Sequence, residues 1–195
     1  MILNLPYSSD RVFKDSPKNT IINTIRPNLK DGPWVAGGAA LSLFTGDPIN
    51  DIDIYCRTEE QLRALEQKLY QNGNMIYESD NATSWKIYEN SETFTIQLIK
   101  KGLYKNISEV FDTFDFTVCK IATDLDGNFV STPKAVSDIG QRRLRVSKFS
   151  KDGFLPRWAK YTQYGYDMPV SEFNEYVSKV DNDDFKNIYA MHANY

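Results

Sequence analysis

The sequence predicts an α+β fold: a mixed sheet of about five strands flanked by helices, with a short helical extension at its C-terminal end. Two observations carry the prediction. A strand, a glycine turn, a helix and a strictly alternating strand follow one another between residues 33 and 55, and the first 130 or so residues are strand-rich whereas those from Pro133 onward read as helices. The expected organisation is a catalytic domain over residues 1–132, opened by a covering helix, and a helical extension over 133–195 packed on it.

The elements follow in order. Asn19–Arg26 has helical composition and is stopped by Pro27, because proline cannot continue a helix. Pro33–Ala36 is an apolar run broken by Gly37-Gly38, after which Ala39–Phe44 reads as a helix closed by Gly46. Asn50–Tyr55 alternates polar and apolar residues, which sets Asp51 and Asp53 on one strand face and Ile52 and Ile54 on the other.

Thr58 followed by Glu59 and Glu60 caps a helix whose apolar stripe is Leu62, Leu65, Leu69 and Tyr70, ended by Asn72-Gly73. Strands are expected at Met75–Glu78, Trp85–Tyr88 and Thr93–Ile99, then a short helix at Ser108–Phe111. Phe114–Ala122 reads as the most apolar strand, with Asp115, Thr117 and Cys119 on one face. Asp124–Asn128 is a hairpin turn into Phe129–Ser131, and helices are expected over Leu155–Tyr164, Val170–Val180 and Asp184–His192.

Composition narrows the chemistry. With 41% apolar and 25% charged residues, and 23 phenylalanines and tyrosines in all, the chain can bury a core and is not disordered. No run approaches the roughly 18–20 apolar residues of a membrane span, and the first residues lack the basic and apolar regions of a signal peptide, so a cytoplasmic protein with no membrane partner is expected. Cys56 and Cys119 are too few for a thiolate zinc site and suit a reducing compartment. The sole histidine, His192, lies near the C-terminal end, so a histidine triad or multi-histidine metal site has no raw material. Carboxylates with hard cations are the remaining candidates.

A net charge of −3 argues against a protein that coats nucleic acid, yet residues 141–160 hold Arg142, Arg143, Arg145, Lys148, Lys151, Arg157 and Lys160 against Asp152 alone. Arg157 and Lys160, three apart on one helix face, suit a triphosphate or an RNA backbone; the rest fit a solvated charged face. Lys100 and Lys101 are weaker candidates for the same role. Trp158, Tyr161 and Tyr164 either stack a base or fill the core.

The chemistry concentrates in Gly37-Gly38 and Asp51-Ile-Asp53, with twelve residues between the second glycine and the first aspartate. Glycines let the backbone approach a triphosphate, the following helix offers free N–H groups, and two carboxylates on one face hold magnesium bridging the phosphates. At these residues the sequence resembles the nucleotidyltransferase superfamily that includes DNA polymerase β, poly(A) polymerases and CCA-adding tRNA nucleotidyltransferases. Asp115-Phe-Thr, the acidic glycine turn after it and Asp138-Ile-Gly-Gln-Arg-Arg-Leu-Arg145 extend the likeness to bacterial-type CCA-adding enzymes over about residues 33–165.

The resemblance implies a nucleotidyltransferase fold and two Mg2+ ions, replaceable by Mn2+, on Asp51 and Asp53. Asp115 would be a third metal-binding carboxylate or a contact near the ribose; on the residues alone the active site is the preferred reading and a buried hydrogen-bond network the alternative. Gln97 is the rival at the third position and, being neutral, a poor metal ligand. Catalysis would rest on Asp51, Asp53 and Asp115, and nucleotide binding on Gly37, Gly38, Arg157 and Lys160.

Two departures set the chain apart as a minimal, divergent member. Thr113-Phe114 replaces the family's arginine pair, and Lys151–Arg157 is a distant echo of the Glu-Asp-x-x-Arg element. The implied reaction transfers a nucleoside monophosphate from an NTP such as ATP to a hydroxyl acceptor. An RNA 3′ end is first choice, with a protein side chain or small molecule as alternatives, and a catalytically silent nucleotide sensor or interaction module as the rival class.

Overall fold

The computed structural model describes residues 1–5, 19–49, 51–89 and 92–180. The helix expected near Asp184–His192, and His192 itself, lie outside the described residues. The elements are β1 (Leu3–Leu5), α1 (Asn19–Ile25), β2 (Trp34–Ala36), α2 (Gly38–Thr45), β3 (Asp51–Tyr55), α3 (Glu59–Asn72), β4 (Asn74–Glu78), β5 (Ala82–Glu89) and β6 (Glu92–Ile99). There follow α4 (Ile107–Phe111), β7 (Ile121–Thr123), β8 (Phe129–Ser131), α5 (Pro133–Gly140), α6 (Phe154–Gln163) and α7 (Val170–Val177). No helix among the described residues is long and apolar enough to cross a membrane.

The strands form one mixed sheet of eight, in the order β1-β8-β7-β2-β3-β6-β5-β4, with β3 and β6 parallel and every other neighbouring pair antiparallel. Eight exceeds the expected five or so. Leu3–Leu5, which pairs with β8, is an addition that no sequence pattern marked, and Ile121–Thr123, which begins inside the expected Phe114–Ala122 strand, pairs with both β2 and β8.

Phe114–Ala122 is not a continuous strand. Phe116 makes a lone antiparallel bridge to Val146, the Ser147 and Lys148 amides donate to the Asp115 carbonyl, and Thr117–Cys119 winds into a 3-10 turn before β7 begins at Ile121. Apolar alternation there reflects burial between two layers, and the backbone bonds go to residues 145–148 instead of to a sheet neighbour. The Thr117 amide donates to the Arg145 carbonyl at 2.9 Å. Its hydroxyl donates to Asp138, which also accepts from Arg145 Nη2 at 3.1 Å. The residues of the Asp-Phe-Thr and Asp-Ile … Leu-Arg motifs thus brace one another.

The sheet separates its cores by face. Ile52 and Ile54 of β3 and Phe94, Ile96 and Leu98 of β6 join Ile21, Ile22 and Ile25 of α1 and Leu65 and Leu69 of α3. Each such side chain contributes about 1.5–3 kcal/mol by leaving water. Thr58 starts α3 by accepting from the Gln61 amide at 3.2 Å, and Gly46 ends α2 in the left-handed conformation with its N–H on the Ser42 carbonyl. A second core gathers Ala40 and Leu41 of α2 with Phe116, Phe129, Ile139, Leu144, Phe154, Leu155 and Tyr161. A third, on the face that carries the aspartates, joins Trp34, Ala36, Tyr55, Ala122 and Val130 to Val110 and Phe111 of α4. At the far edge all five residues of β4 are exposed.

Candidate active site

The strand alternation delivers its promise at β3. With Ile52 and Ile54 buried in the core, Asp51, Asp53 and Tyr55 share the opposite face. Parallel pairing with β6 places Thr95 beside Asp51, Gln97 beside Asp53 and Ile99 beside Tyr55. A cavity of about 360 Å³ opens over this face, and its walls include Gly38, Asp51, Asp53, Asp115, Arg157 and Lys160. Six of the seven residues proposed from sequence therefore meet in one place, although they lie on four separate stretches of chain.

The seventh, Gly37, supports the wall from behind. Its φ of 82° and ψ of −138° turn the chain from β2 into α2, and its N–H donates to the Ile121 carbonyl at 3.0 Å. A Cβ there would stand 3.0 Å from Phe114 Cε1, so backbone angle and packing both demand glycine. Gly38 does a different job: a Cβ on it would lie 3.4 Å from Tyr161 Oη and 3.7 Å from Lys160 Nζ, room that the missing side chain leaves open.

Two cations from α6 reach down to the carboxylates. Lys160 Nζ donates to Asp51 Oδ1 at 3.0 Å, and Arg157 Nε lies 2.7 Å from Asp115 Oδ2. Burial, reinforced by the neighbouring Asp51 charge and only partly relieved by Lys160 and Arg157, pushes the Asp53 carboxyl up from 3.8 to about 7. Burial also raises Asp115, against the opposing pull of Arg157 and Lys148. For Lys160 desolvation works downward, but the charge and hydrogen bond of Asp51 outweigh it and leave the ammonium above its ordinary value.

The expected three-carboxylate metal set of Asp51, Asp53 and Asp115 is not assembled: among the described residues no three His, Cys, Asp or Glu side chains are grouped to hold a metal ion. Asp115 is engaged by Arg157, and the position across from Asp53 on β6 is Gln97, which also lines the cavity. Asp51 and Asp53 themselves fit a divalent cation. Two oxygen-ligand carboxylates face one side, the charge of one disfavours ionisation of the other, and the Lys160 ammonium already stands where positive charge is wanted.

Of the rest of the basic segment, Lys148 and Lys151 are exposed, whereas the three arginines are half-buried and paired. Arg142 pairs with Asp47 at 3.3 Å and lies 5.0 Å over the Tyr166 ring, Arg143 pairs with Glu172, and Arg145 with Asp138. Tyr161 is core and accepts a hydrogen bond from Cys119 Sγ at 3.0 Å, while Trp158 packs on Phe173 with ring centres 4.3 Å apart. Tyr55 is a wall residue that sequence reasoning passed over, although extending the β3 alternation by two positions would have found it.

The complex structure of a CCA-adding enzyme with ATP matches with a TM-score of 0.56 and 15% identity, covering 80% of this chain and 42% of that one. The crystal structure of Bacillus stearothermophilus CCA-adding enzyme in complex with CTP matches with a TM-score of 0.47 and 18% identity, covering 69% and 33% of the two chains. The chain has the fold of the CCA-adding nucleotidyltransferases. Residues 8–142 match the Gabija anti-defense 2 family, and the chain belongs to that family. The protein named Gabija anti-defense 2 from Bacillus phage SPbetaL7 is 28% identical over 144 residues, which are 71% of this chain but only 35% of that protein, so the chain spans about a third of its relative's length.

Proposed function

We propose that this chain is a metal-dependent nucleotidyltransferase domain that moves a nucleoside monophosphate from an NTP to a hydroxyl acceptor, and that this transfer is how it acts against Gabija defence. The observation that carries the reading is the same-face pair Asp51 and Asp53, set in one cavity with Gly38, Arg157 and Lys160. The family description supports the biological role, and the phage relative supports action in the cytoplasm of a bacterial cell.

In this reading Asp51 and Asp53 hold magnesium, which supplies charge neutralisation on the phosphates. The free N–H groups at the start of α2 face the triphosphate across Gly38. Lys160 releases Asp51 and contacts the phosphates, while Arg157 steadies the phosphoryl group being transferred. Asp115, raised by burial, takes the acceptor hydroxyl proton as the new O–P bond forms and the bond from the α-phosphorus to pyrophosphate breaks. An RNA 3′ end is the first-choice acceptor, with a protein of the Gabija system or a small molecule as the alternatives.

A second reading, a silent fold that binds nucleotide without turning it over, is favoured by Gln97 at the third-carboxylate position. Transfer from each α-labelled NTP to total RNA and total protein, with Mg2+ or Mn2+, separates the two. Label in one pool that vanishes in the Asp51→Ala/Asp53→Ala variant is the expected result. NTP binding with no transfer to RNA, protein or small molecules would replace the enzyme reading by the silent one.

A further inference from the structure

A second cavity, of about 460 Å³, adjoins the first at the C-terminal end of the parallel β3–β6 pair. Tyr55, Thr113, Asp115 and Arg157 line both, so the Arg157–Asp115 ion pair stands on the boundary between them. Beyond it the walls are formed by Ile99, Lys101, Gly102, Tyr104, Lys148 and Ser150. The floor is continuous, because Asp53 leads to Tyr55 on β3 and Gln97 leads to Ile99 on β6, each pair on one strand face.

The two cavities differ in sign. Asp51, Asp53 and Asp115 outnumber Arg157 and Lys160 in the first, whereas Lys101, Lys148 and Arg157 face Asp115 alone in the second. Lys100, the neighbour of Lys101, is occupied by Glu78 at 2.8 Å. Lys101 and Lys148 are exposed, and neither has a carboxylate within ion-pairing distance among the described residues. Lys148 acts on Asp115 only from beyond ion-pairing distance, and both ammonium groups border a concave space, which is an arrangement suited to an anion.

We infer that the second cavity is the acceptor subsite and that it takes the phosphodiester next to the reactive hydroxyl of a polynucleotide strand, held by Lys101 and Lys148 beside the Tyr104 ring. This rests on the nucleotidyltransferase reading of the first cavity. Lysine ammonium groups bind phosphate oxygens as point charges, whereas planar carboxylates of an acidic peptide are better met by the arginine fork, and the sole arginine here is already on Asp115. Tyr104, half-buried and set edge-on to Tyr55 with ring centres 5.7 Å apart, offers an aromatic surface of the kind that stacks bases without regard to sequence. An acceptor seated there reaches the NTP across Asp115, the residue that takes its proton.

The test measures fluorescence anisotropy of a labelled single-stranded RNA 12-mer, with a 12-residue polyglutamate peptide beside it, on the full chain and on Lys101→Ala/Lys148→Ala and Lys101→Arg/Lys148→Arg variants. Binding of labelled ATP with Mg2+, read separately, reports the first cavity. We expect RNA affinity to fall at least tenfold in the alanine variant and to return in the arginine variant. The slope of log affinity against log salt should fall by about 1.4, because each single-strand phosphate that a lysine neutralises adds roughly 0.7 to it. No RNA binding by the unaltered protein, or equal binding by the alanine variant, overturns the inference. Polyglutamate binding tighter than RNA, and abolished with the lysines, replaces the polynucleotide by an acidic protein surface. Failure of the unaltered protein to bind ATP would sink the reading of the first cavity while leaving the RNA result to decide the second.

Discussion

Gln97 stands directly across from Asp53 in the parallel pairing of β3 with β6, and both side chains line the same cavity. A neutral amide there leaves the site with two carboxylates where three would bind a hard cation more tightly. The Gln97→Glu variant should lose thermal stability without metal, because a third negative charge joins Asp51 and Asp53. With Mg2+ it should regain that stability, and its Mn2+ affinity should exceed the unaltered protein's about tenfold. Titration calorimetry and metal-dependent melting check this; a variant indifferent to metal would remove the divalent site from Asp51 and Asp53.

Asp53 makes stability depend on pH in a direction opposite to an ordinary salt-bridged aspartate. Its carboxyl titrates near 3.8 when unfolded and about 7 when folded. Below about pH 4 both states hold the proton and the group contributes nothing. Between about 4 and 7 the unfolded chain has released the proton and the folded one has kept it, so folding stability falls as pH rises, levelling off above about 7. The total loss is on the order of a few kcal/mol at most, reduced by whatever solvent enters the cavity. Urea denaturation from pH 4 to 8 should show the decline, Asp53→Asn should flatten it, and Mg2+ should counter it most strongly above pH 7.

The two glycines should respond differently to the same change. Gly37→Ala forces a side chain into φ 82° and against Phe114 at 3.0 Å, which should cost about 1–3 kcal/mol of stability. Gly38→Ala sits in ordinary van der Waals contact at the first turn of α2 and should gain up to about 1 kcal/mol of helix propensity. Its methyl group occupies the room beside Lys160, so ATP binding should weaken several-fold without loss of fold. Melting curves and ATP titrations on both variants give the comparison.

Asp138 is 1% exposed and ties Thr117 to Arg145. Removing it by Asp138→Ala deprives the half-exposed Arg145 guanidinium of its carboxylate and leaves the Thr117 hydroxyl only its 3.4 Å contact with the Arg145 carbonyl, for a cost of about 1–3 kcal/mol. Thr117→Val, which deletes one hydrogen bond, should cost about 1 kcal/mol. Because Thr117 lies two residues from Asp115, even this mild variant should reduce nucleotide transfer more than it reduces stability, measurable as turnover at a temperature where both proteins are folded.

Much of the site was legible because its determinants are local. Period-two alternation through Asp51-Ile-Asp-Ile-Tyr55 reports which side chains share a strand face, and two glycines between an apolar run and a helix report a tight turn. These follow from short-range backbone sterics and need no partner. The same reasoning misread Phe114–Ala122, since alternation cannot tell a sheet strand from an extended segment whose amides bond to residues 145–148. It also read Arg142, Arg143 and Arg145 as parts of a solvated face, when each pairs with a carboxylate elsewhere in the chain.

The sequence by itself determined the paired aspartates, the glycine turn and the capped helices, each specified within a few neighbouring residues. Only the tertiary structure decided that Lys160 meets Asp51 across 109 residues, that Gln97 stands opposite Asp53, and that Lys101 and Lys148 converge on a second cavity. Those encounters depend on which strands pair and how α6 packs over the sheet, long-range closures that hydrophobic burial selects and no local pattern of residues encodes.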